Sequence, residues 1–257
     1  MPNKTAIITG ATSGIGRATA NLLHDKGWGL ILTGRRMERL KDIKSKLNEN
    51  DRIVDIHCFD IRSYNECAKF AARIEARFDH IDLLFNNAGL AQGLAPVNDG
   101  DISDWETMLD TNVKGLLYMT RLISPIMVKQ GSGMVINTCS TAGKEVYPMG
   151  NVYCATKHAV DALTKAMRLD LYEHGIRVGQ VSPGHVESTE FAEVRFHGNK
   201  QKADIYSDFN PLKAKDVAAA VAFMAEQPAH VNIQDILMMG TQQANSNYID
   251  RSGRNYD

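Results

Sequence analysis

The segment that most restricts the fold is Thr5-Ala6-Ile7-Ile8-Thr9 followed by Gly10-Ala11-Thr12-Ser13-Gly14-Ile15-Gly16. The β-branched run predicts a strand over Thr5 to Thr9. Apolar positions at Ala18, Leu22 and Leu23 predict a helix that ends near Lys26-Gly27. Between them, glycines in the pattern G-x3-G-x-G permit a tight turn and a close backbone approach at a helix N-terminus. Free N–H groups and the helix dipole at that point suit a diphosphate. Gly10, Ser13, Gly14 and Gly16 are therefore candidate dinucleotide ligands. The competing reading is a glycine-rich connection that binds nothing.

The same alternation continues along the chain. Strands are expected at Gly29–Thr33, Ile53–Phe59, Ile81–Phe85, Gly133–Thr138 and Gly175–Val181, with a further one at Ile236–Met239. Helices are expected over Met37–Asn48, from Asp104 towards Lys129, and from Tyr153 to about Glu173. Every polar motif falls just after a strand. That pattern predicts an α/β fold, a doubly wound parallel sheet with helices on both faces, spanning residues 1–257 as a single domain. A hydrophobic content of 44% is enough for its core.

Composition excludes several classes of partner. The 29 basic and 30 acidic side chains leave a formal charge of −1, and no long basic run suggests nucleic acid or an anionic membrane. The apolar run at the start is too short for a signal-peptide core, and the longest, Val217 to Ala225, is too short to span a bilayer. Cys58, Cys67, Cys139 and Cys154 show no C-x-x-C spacing and read as reduced, mostly buried thiols of a cytoplasmic protein. The eight histidines contain no H-E-x-x-H, so no metal is expected.

Other candidates sit at the strand ends. The second strand ends in Gly34-Arg35-Arg36, where a carboxylate would bind a ribose 2′-hydroxyl. Guanidinium groups suit a phosphate dianion instead, which favours NADP over NAD, unless the arginines only open the solvated face of the next helix. Asp60 can accept from an adenine amine or cap the helix that begins around Ser63. Asn86-Asn87-Ala88-Gly89 would line the ligand crevice. Asn112, mid-helix, holds a water, distorts the helix, or is a buried asparagine with satisfied bonds. Tyr153 and Lys157 are one helical turn apart on one face, with Ser140 upstream at another strand end. An ammonium near a phenol favours the phenolate and makes it an acid or base usable near neutral pH, and a serine hydroxyl can orient the same oxygen. Alone, the Tyr-x3-Lys pair reads as an ordinary helix surface.

Taken in order, Thr9-Gly10-x3-Gly14-x-Gly16, Asn86-Asn87-Ala88-Gly89, Asn112, Ser140, Tyr153-x3-Lys157 and Pro183-Gly184 resemble the short-chain dehydrogenases/reductases over roughly Lys4 to Gln243. The resemblance implies a Rossmann-type sheet of seven parallel strands, usually in a homotetramer, and NAD(P)-dependent alcohol oxidation or carbonyl reduction. It implies Tyr153 as acid/base and Ser140 as the ligand of the reacting oxygen. Lys157 would hold the nicotinamide ribose, and Asn112 a relay water. Thr12, Ile15, Ile61, Ala88, Gly89, Pro183, Gly184, Val186 and Thr189 join the implied cofactor contacts.

A narrower resemblance, to NADP-dependent 3-hydroxy acid dehydrogenases of the serine and L-allo-threonine type, rests on Thr33-Gly34-Arg35-Arg36, Gly150-Asn151-Val152-Tyr153, Thr189-Glu190-Phe191-Ala192-Glu193-Val194-Arg195-Phe196 and Ala229-His230-Val231-Asn232-Ile233. It implies a small hydroxy or oxo acid as substrate. Cys139, His185-Val186-Glu187 and the tail after Gln243 depart from the pattern. Residues 189–212 are placed to act as a lid. Within it Arg195, between Val194 and Phe196, is a candidate for the substrate carboxylate, with Lys144 as its competitor. A carbonyl or 3-oxoacyl reductase on the same fold, and a non-catalytic dinucleotide sensor, are the alternatives.

Overall fold

The computed structural model describes residues 4–47, 52–187, 189–199, 201 and 208–254. Among these, seven strands pair in parallel: β1 (Thr5–Ile8), β2 (Gly29–Gly34), β3 (Val54–Cys58), β4 (Leu83–Asn86), β5 (Gly133–Thr138), β6 (Ile176–Pro183) and, at one edge, the late strand Asp235–Met238. The order is β3-β2-β1-β4-β5-β6 and then that edge strand, so the winding reverses between β1 and β4. A small second sheet pairs β7 (Val186–Glu187) with β8 (Leu212–Lys213), which the sequence did not signal. The edge strand is accordingly β9.

Side-chain alternation decides what each face buries. Ala6 and Ile8 of β1, Leu30 and Leu32 of β2, and Leu83 and Phe85 of β4 point to one core. Ile7, Ile31 and Leu84 point to the other. The first core is covered by α1 (Gly14–Asp25), α2 (Met37–Leu47) and the late helix Ala214–Ala225, through Leu23, Leu40, Ile43, Val217 and Val221. The second is covered by α3 (Tyr64–Arg77), by α5 (Leu116–Gln130) and by α6 (Asn151–Leu171), through Phe70, Ile74, Met119, Ile123 and Val160. Also described are α4 (Ile102–Leu109) and α7 (Phe191–Arg195), and the Ala214–Ala225 helix is numbered α8. No helix among the described residues is long and apolar enough to cross a membrane.

Boundaries differ from expectation for visible reasons. The fourth strand starts at Leu83 rather than Ile81, because Gln130 Nε2 and Oε1 hold the carbonyl and N–H of Ile81 at 2.6 and 3.1 Å in place of a neighbouring strand. The helix expected from Asp104 to Lys129 is interrupted by a π-helical turn at Asp110–Gly115, so Asn112 sits in a distorted stretch and is at the same time a buried asparagine with satisfied bonds. The helix carrying Tyr153 stops at Leu171, a tight turn follows at Tyr172–His174, and Gly175, at φ 70°, reverses the chain into β6. Asn48, expected to close α2, lies outside the described residues, as do positions 200 and 202–207 of the expected lid.

A buried polar chain crosses the centre of the sheet. Asn86 Nδ2 donates to Thr120 Oγ1 at 2.9 Å and to Asn137 Oδ1 at 3.0 Å, and Asn137 Nδ2 donates to Thr164 Oγ1 at 2.9 Å. It ties β4 and β5 to α5 and α6. Buried partners left without a bond lose their full solvation, at about 1–3 kcal/mol. Asn137→Ala is therefore expected to lower stability by about that amount. A denaturant midpoint equal to wild type would show that the chain contributes nothing.

Candidate active site

The strand ends at the reversal point frame one cavity of about 760 Å³. Open sheets of this kind bind ligands at such a point. Its floor is the contact between the glycine turn and the end of β4. Gly10, at φ 65°, brings its α-carbon so close that a Cβ would meet Ala88 Cα at 2.9 Å. On Gly16 a Cβ would stand 2.5 Å from Asn87 Nδ2 and from the Gly10 carbonyl oxygen. Ser13, the N-cap of α1, turns its hydroxyl to Arg36 instead of its own helix, which leaves the first-turn N–H groups of α1 directed at the cavity end.

Most of the sequence candidates line this cavity: Gly10, Thr12, Ser13, Gly14, Ile15, Arg35, Arg36, Asp60, Ile61, Asn87, Ala88, Gly89, Ser140, Tyr153, Lys157, Pro183, Gly184, Val186, Thr189 and Arg195. Gly16 and Asn112 stand behind the wall. Gly16 serves the close approach just described. Asn112 accepts from Leu90 N–H at 2.9 Å and donates to Leu90 O at 2.8 Å and Thr156 Oγ1 at 3.1 Å, so its amide pins the post-β4 loop to α6.

At the far end, Arg36 Nη2 donates to Thr12 Oγ1 at 2.9 Å and Ser13 Oγ at 3.1 Å, while Arg35 is exposed at the rim. Asp60 does not cap α3. Ser63 does that by accepting from Glu66 N–H at 3.3 Å, and the Asp60 carboxylate takes Arg62 at 2.6 Å. The wall thus offers the first-turn N–H groups of a helix, a guanidinium at the ribose end and Asp60 beside it. A dinucleotide carrying a 2′-phosphate fits this set.

At the near end lie Ser140, Tyr153, Lys157 and Arg195. Ala142 N–H donates to Ser140 Oγ at 3.1 Å, and that hydroxyl lies 3.3 Å from the Pro183 carbonyl. Lys157 Nζ donates to Thr138 O at 2.8 Å and stands 5.9 Å from the centre of the Tyr153 ring. Burial pushes the Lys157 ammonium down to about 8. Burial also raises the Tyr153 phenol, an effect that outweighs the Ser140 hydrogen bond and the Arg195 charge, which lower it. The expected lowering of Tyr153 by Lys157 is thus absent from the protein alone. Spacing identifies the pair but says nothing of desolvation, which here dominates.

Arg195 and Lys144 differ sharply. Lys144 Nζ is held by Asp161 and by Asp235 at 2.6 Å, so it is committed to the fold. Arg195 is 7% exposed and forms no ion pair among the described residues. Its Nη2 donates to Tyr147 Oη at 2.9 Å, its Nε is buried without a partner among the described residues, and its guanidinium carbon lies 5.8 Å from the Tyr153 ring centre.

Sequence reasoning missed several wall residues. Tyr147 and Phe191 pack around Tyr153, with the Phe191 ring edge-on at 5.6 Å. Glu190 bonds Arg36 and Arg39, and only the i, i+3 spacing of those arginines hinted at it. Ser246, in the tail with no expected match, reaches the wall and bonds Glu145 Oε1 at 2.6 Å through its N–H. Cys58 is exposed while the other cysteines are buried, all as free thiols. Among the described residues no group of three His, Cys, Asp or Glu is placed to hold a metal ion.

Comparison with known proteins gives consistent results. A family model for short chain dehydrogenase matches residues 4–200. The NADP-dependent 3-hydroxy acid dehydrogenase YdfG of Salmonella typhi is 43% identical over 239 residues, covering 93% of this chain and 95% of the relative. Sulfoacetaldehyde reductase 2 of Chromohalobacter salexigens is 42% identical over 248 residues, covering 95% and 98%. Among solved structures, the closed form of serine dehydrogenase complexed with NADP+ superposes with a TM-score of 0.90 at 41% identity, covering 95% of this chain and 97% of that one.

His185, on the cavity wall, provides a test of this electrostatic setting. Burial and the charges of Arg195 and Arg251 push its imidazole down to about 4 from 6.5. The unfolded chain takes up this proton near 6.5 and the folded protein only near 4. This contribution to stability is therefore complete above pH 6.5 and falls as the pH drops towards about 4. His185→Gln should flatten the pH dependence of the denaturation free energy across that window. Equal slopes in the two proteins would rule out a buried neutral imidazole.

Proposed function

Because the chain belongs to the short-chain dehydrogenase family, we propose that it is an NADP-dependent oxidoreductase that moves a hydride between the cofactor and a small hydroxy acid. The observation that carries the substrate class is Arg195. A guanidinium buried beside the Tyr153 ring, with Tyr147 as its hydrogen-bond acceptor and an unused Nε, is costly unless an anion joins it. A carboxylate bound there in forked geometry would leave the carbinol of a 3-hydroxy acid near Ser140 and Tyr153. Sulfonates bearing a hydroxyl two carbons away share that spacing, and the similarity to sulfoacetaldehyde reductase 2 favours them as a second substrate class. Serine, allo-threonine and 3-hydroxypropionate are the simplest members of the first.

The chain's residues then divide the work. Gly10, Ser13, Gly14 and the start of α1 receive the diphosphate, and Arg36 receives the 2′-phosphate. Asn87, Ala88, Gly89, Pro183, Gly184, Val186 and Thr189 line the nicotinamide half. Bound there, the cofactor supplies or takes up the hydride and, when oxidised, brings a positive charge to this end of the site. Tyr153 Oη takes the carbinol proton during oxidation and returns it to the carbonyl oxygen during reduction. Ser140 Oγ orients that oxygen. Lys157 Nζ holds the ribose and keeps a cation near the phenol. Asn112 fixes the wall behind them and lies on the route for proton relay. Burial holds the Tyr153 phenol above its ordinary range, so the free site is set to donate a proton.

The apolar side chains left exposed on α5, α6, α8 and β9, including Leu117, Leu169, Phe223 and Leu237, with Tyr172 in the turn after α6, are the surfaces through which copies would assemble into a tetramer.

Two substitutions test the site. Tyr153→Phe should lower kcat by about 10²-fold or more while changing NADPH affinity much less. Near-full turnover with chemistry rate-limiting would remove Tyr153 from the role. Arg195→Gln should reduce kcat/KM for a 3-hydroxy acid by about 10- to 100-fold, the scale of a charge-assisted hydrogen bond. An uncharged alcohol of similar shape should lose far less. Parallel loss on both would assign Arg195 to structure instead.

A further inference from the structure

The cationic end of the cavity already holds an anion of the protein's own. Glu190 Oε2 accepts from Arg36 Nη1 at 2.6 Å, and Oε1 accepts from Arg39 Nη1. Arg36 is braced for this by Thr12 and Ser13 of the glycine turn. Thr189 packs on the same turn, where a Cβ on Gly14 would meet its Cγ2 at 3.1 Å. Burial raises the Glu190 carboxyl, but the hydrogen bonds from Arg36 and Arg39 outweigh it and leave the carboxyl below its ordinary range. It is thus an anion throughout the neutral range.

Glu190 is also the N-cap residue of α7, and Arg195 is the last residue of that single-turn helix. One short segment therefore places a carboxylate on the arginine proposed for the 2′-phosphate and a guanidinium beside the tyrosine.

We infer that Glu190 is an internal competitor of the cofactor's 2′-phosphate, and that its displacement from Arg36 and Arg39 frees helix α7, which carries Arg195, to re-seat. This rests on the assignment of Arg36 to a 2′-phosphate. Two anions at the Arg36 guanidinium repel each other, and the phosphate has the larger charge. NAD, with a neutral hydroxyl at this point, has nothing with which to displace the carboxylate. Glu190 thereby holds down the affinity for the phosphorylated cofactor and makes the loosening of the segment depend on it: only the phosphorylated one displaces the carboxylate. The pairs are partly exposed, with 30% of the Glu190 side chain in solvent, so the tie is weak enough for a ligand to break.

The probes are adenosine 2′,5′-bisphosphate and adenosine 5′-monophosphate, which differ at the 2′-position and contain no reacting group. Their dissociation constants are measured by calorimetry for wild type and Glu190→Gln, together with amide hydrogen exchange over residues 191–196. Wild type should prefer the bisphosphate, and the bisphosphate alone should speed exchange in α7. Glu190→Gln should bind the bisphosphate about three- to tenfold more tightly, the scale of one to two exposed ion pairs. Its binding of the monophosphate should stay the same, and its α7 should exchange fast without ligand. If wild type shows no preference for the bisphosphate, the phosphate assignment and this inference fall together. If wild type prefers it but Glu190→Gln binds it equally or more weakly, or if α7 exchange ignores the bisphosphate, only the competitor role is overturned.

Discussion

The site depends on the clamp between the first and fourth strands. Thr9 Oγ1 accepts from the N–H groups of Asn87 and Ala88 at 2.9 and 3.0 Å, and Asn87 Nδ2 returns to the carbonyls of Thr9 and Gly10 at 3.0 and 3.3 Å. Those bonds close the gap at the point where the sheet reverses its winding. They work only because Gly10 and Gly16 lack side chains that would keep the two strand ends apart. With the ends held together, the phosphate end and the tyrosine end become two halves of one cavity.

From this base, charge is distributed along the cavity in a deliberate order. Arg36 and Arg39 stand at one end, matched by Glu190. Lys157 and Arg195 stand at the other, buried beside a phenol that desolvation keeps protonated. Lys144 is nearby in sequence to Ser140 yet is drawn away by Asp161 and Asp235, whose ion pairs join α6 to β9. Among the described residues Lys157 and Arg195 have no carboxylate partner, whereas Arg36 shares Glu190 with Arg39.

Much of this was legible because the signals are local. A glycine turn between a strand and a helix, amides at the end of β4, and Tyr153 a turn before Lys157 all depend on near neighbours, and the structure gathers them as expected. What was not legible depends on contacts between segments far apart in the chain. Glu190 meets Arg36 and Arg39 across more than 150 positions. Tyr147 gains meaning only when Arg195 arrives beside it. The rise of the Tyr153 phenol reflects burial by Phe191 and its surroundings, which no i, i+4 spacing can report. Of the two readings of Asp60 the cap falls away, because Ser63 takes that role and Arg62 takes the carboxylate.

The π-helical turn at Asp110–Gly115 has a geometric consequence for the whole rod from Ile102 to Gln130. One extra residue in a turn advances an α-helix by about 100° around its axis. The rod therefore has two phases. Before the turn, Met108 faces the small cluster with Tyr153, Leu90 and Ala91. After it, Leu116, Met119, Ile123 and Met127 face the sheet. A continuous α-helix with the same sequence could satisfy one of these faces but not both. The inserted residue acts as a gear between the active-site wall and the core, and deleting a single residue there would misalign one against the other while leaving every side chain's chemistry unchanged.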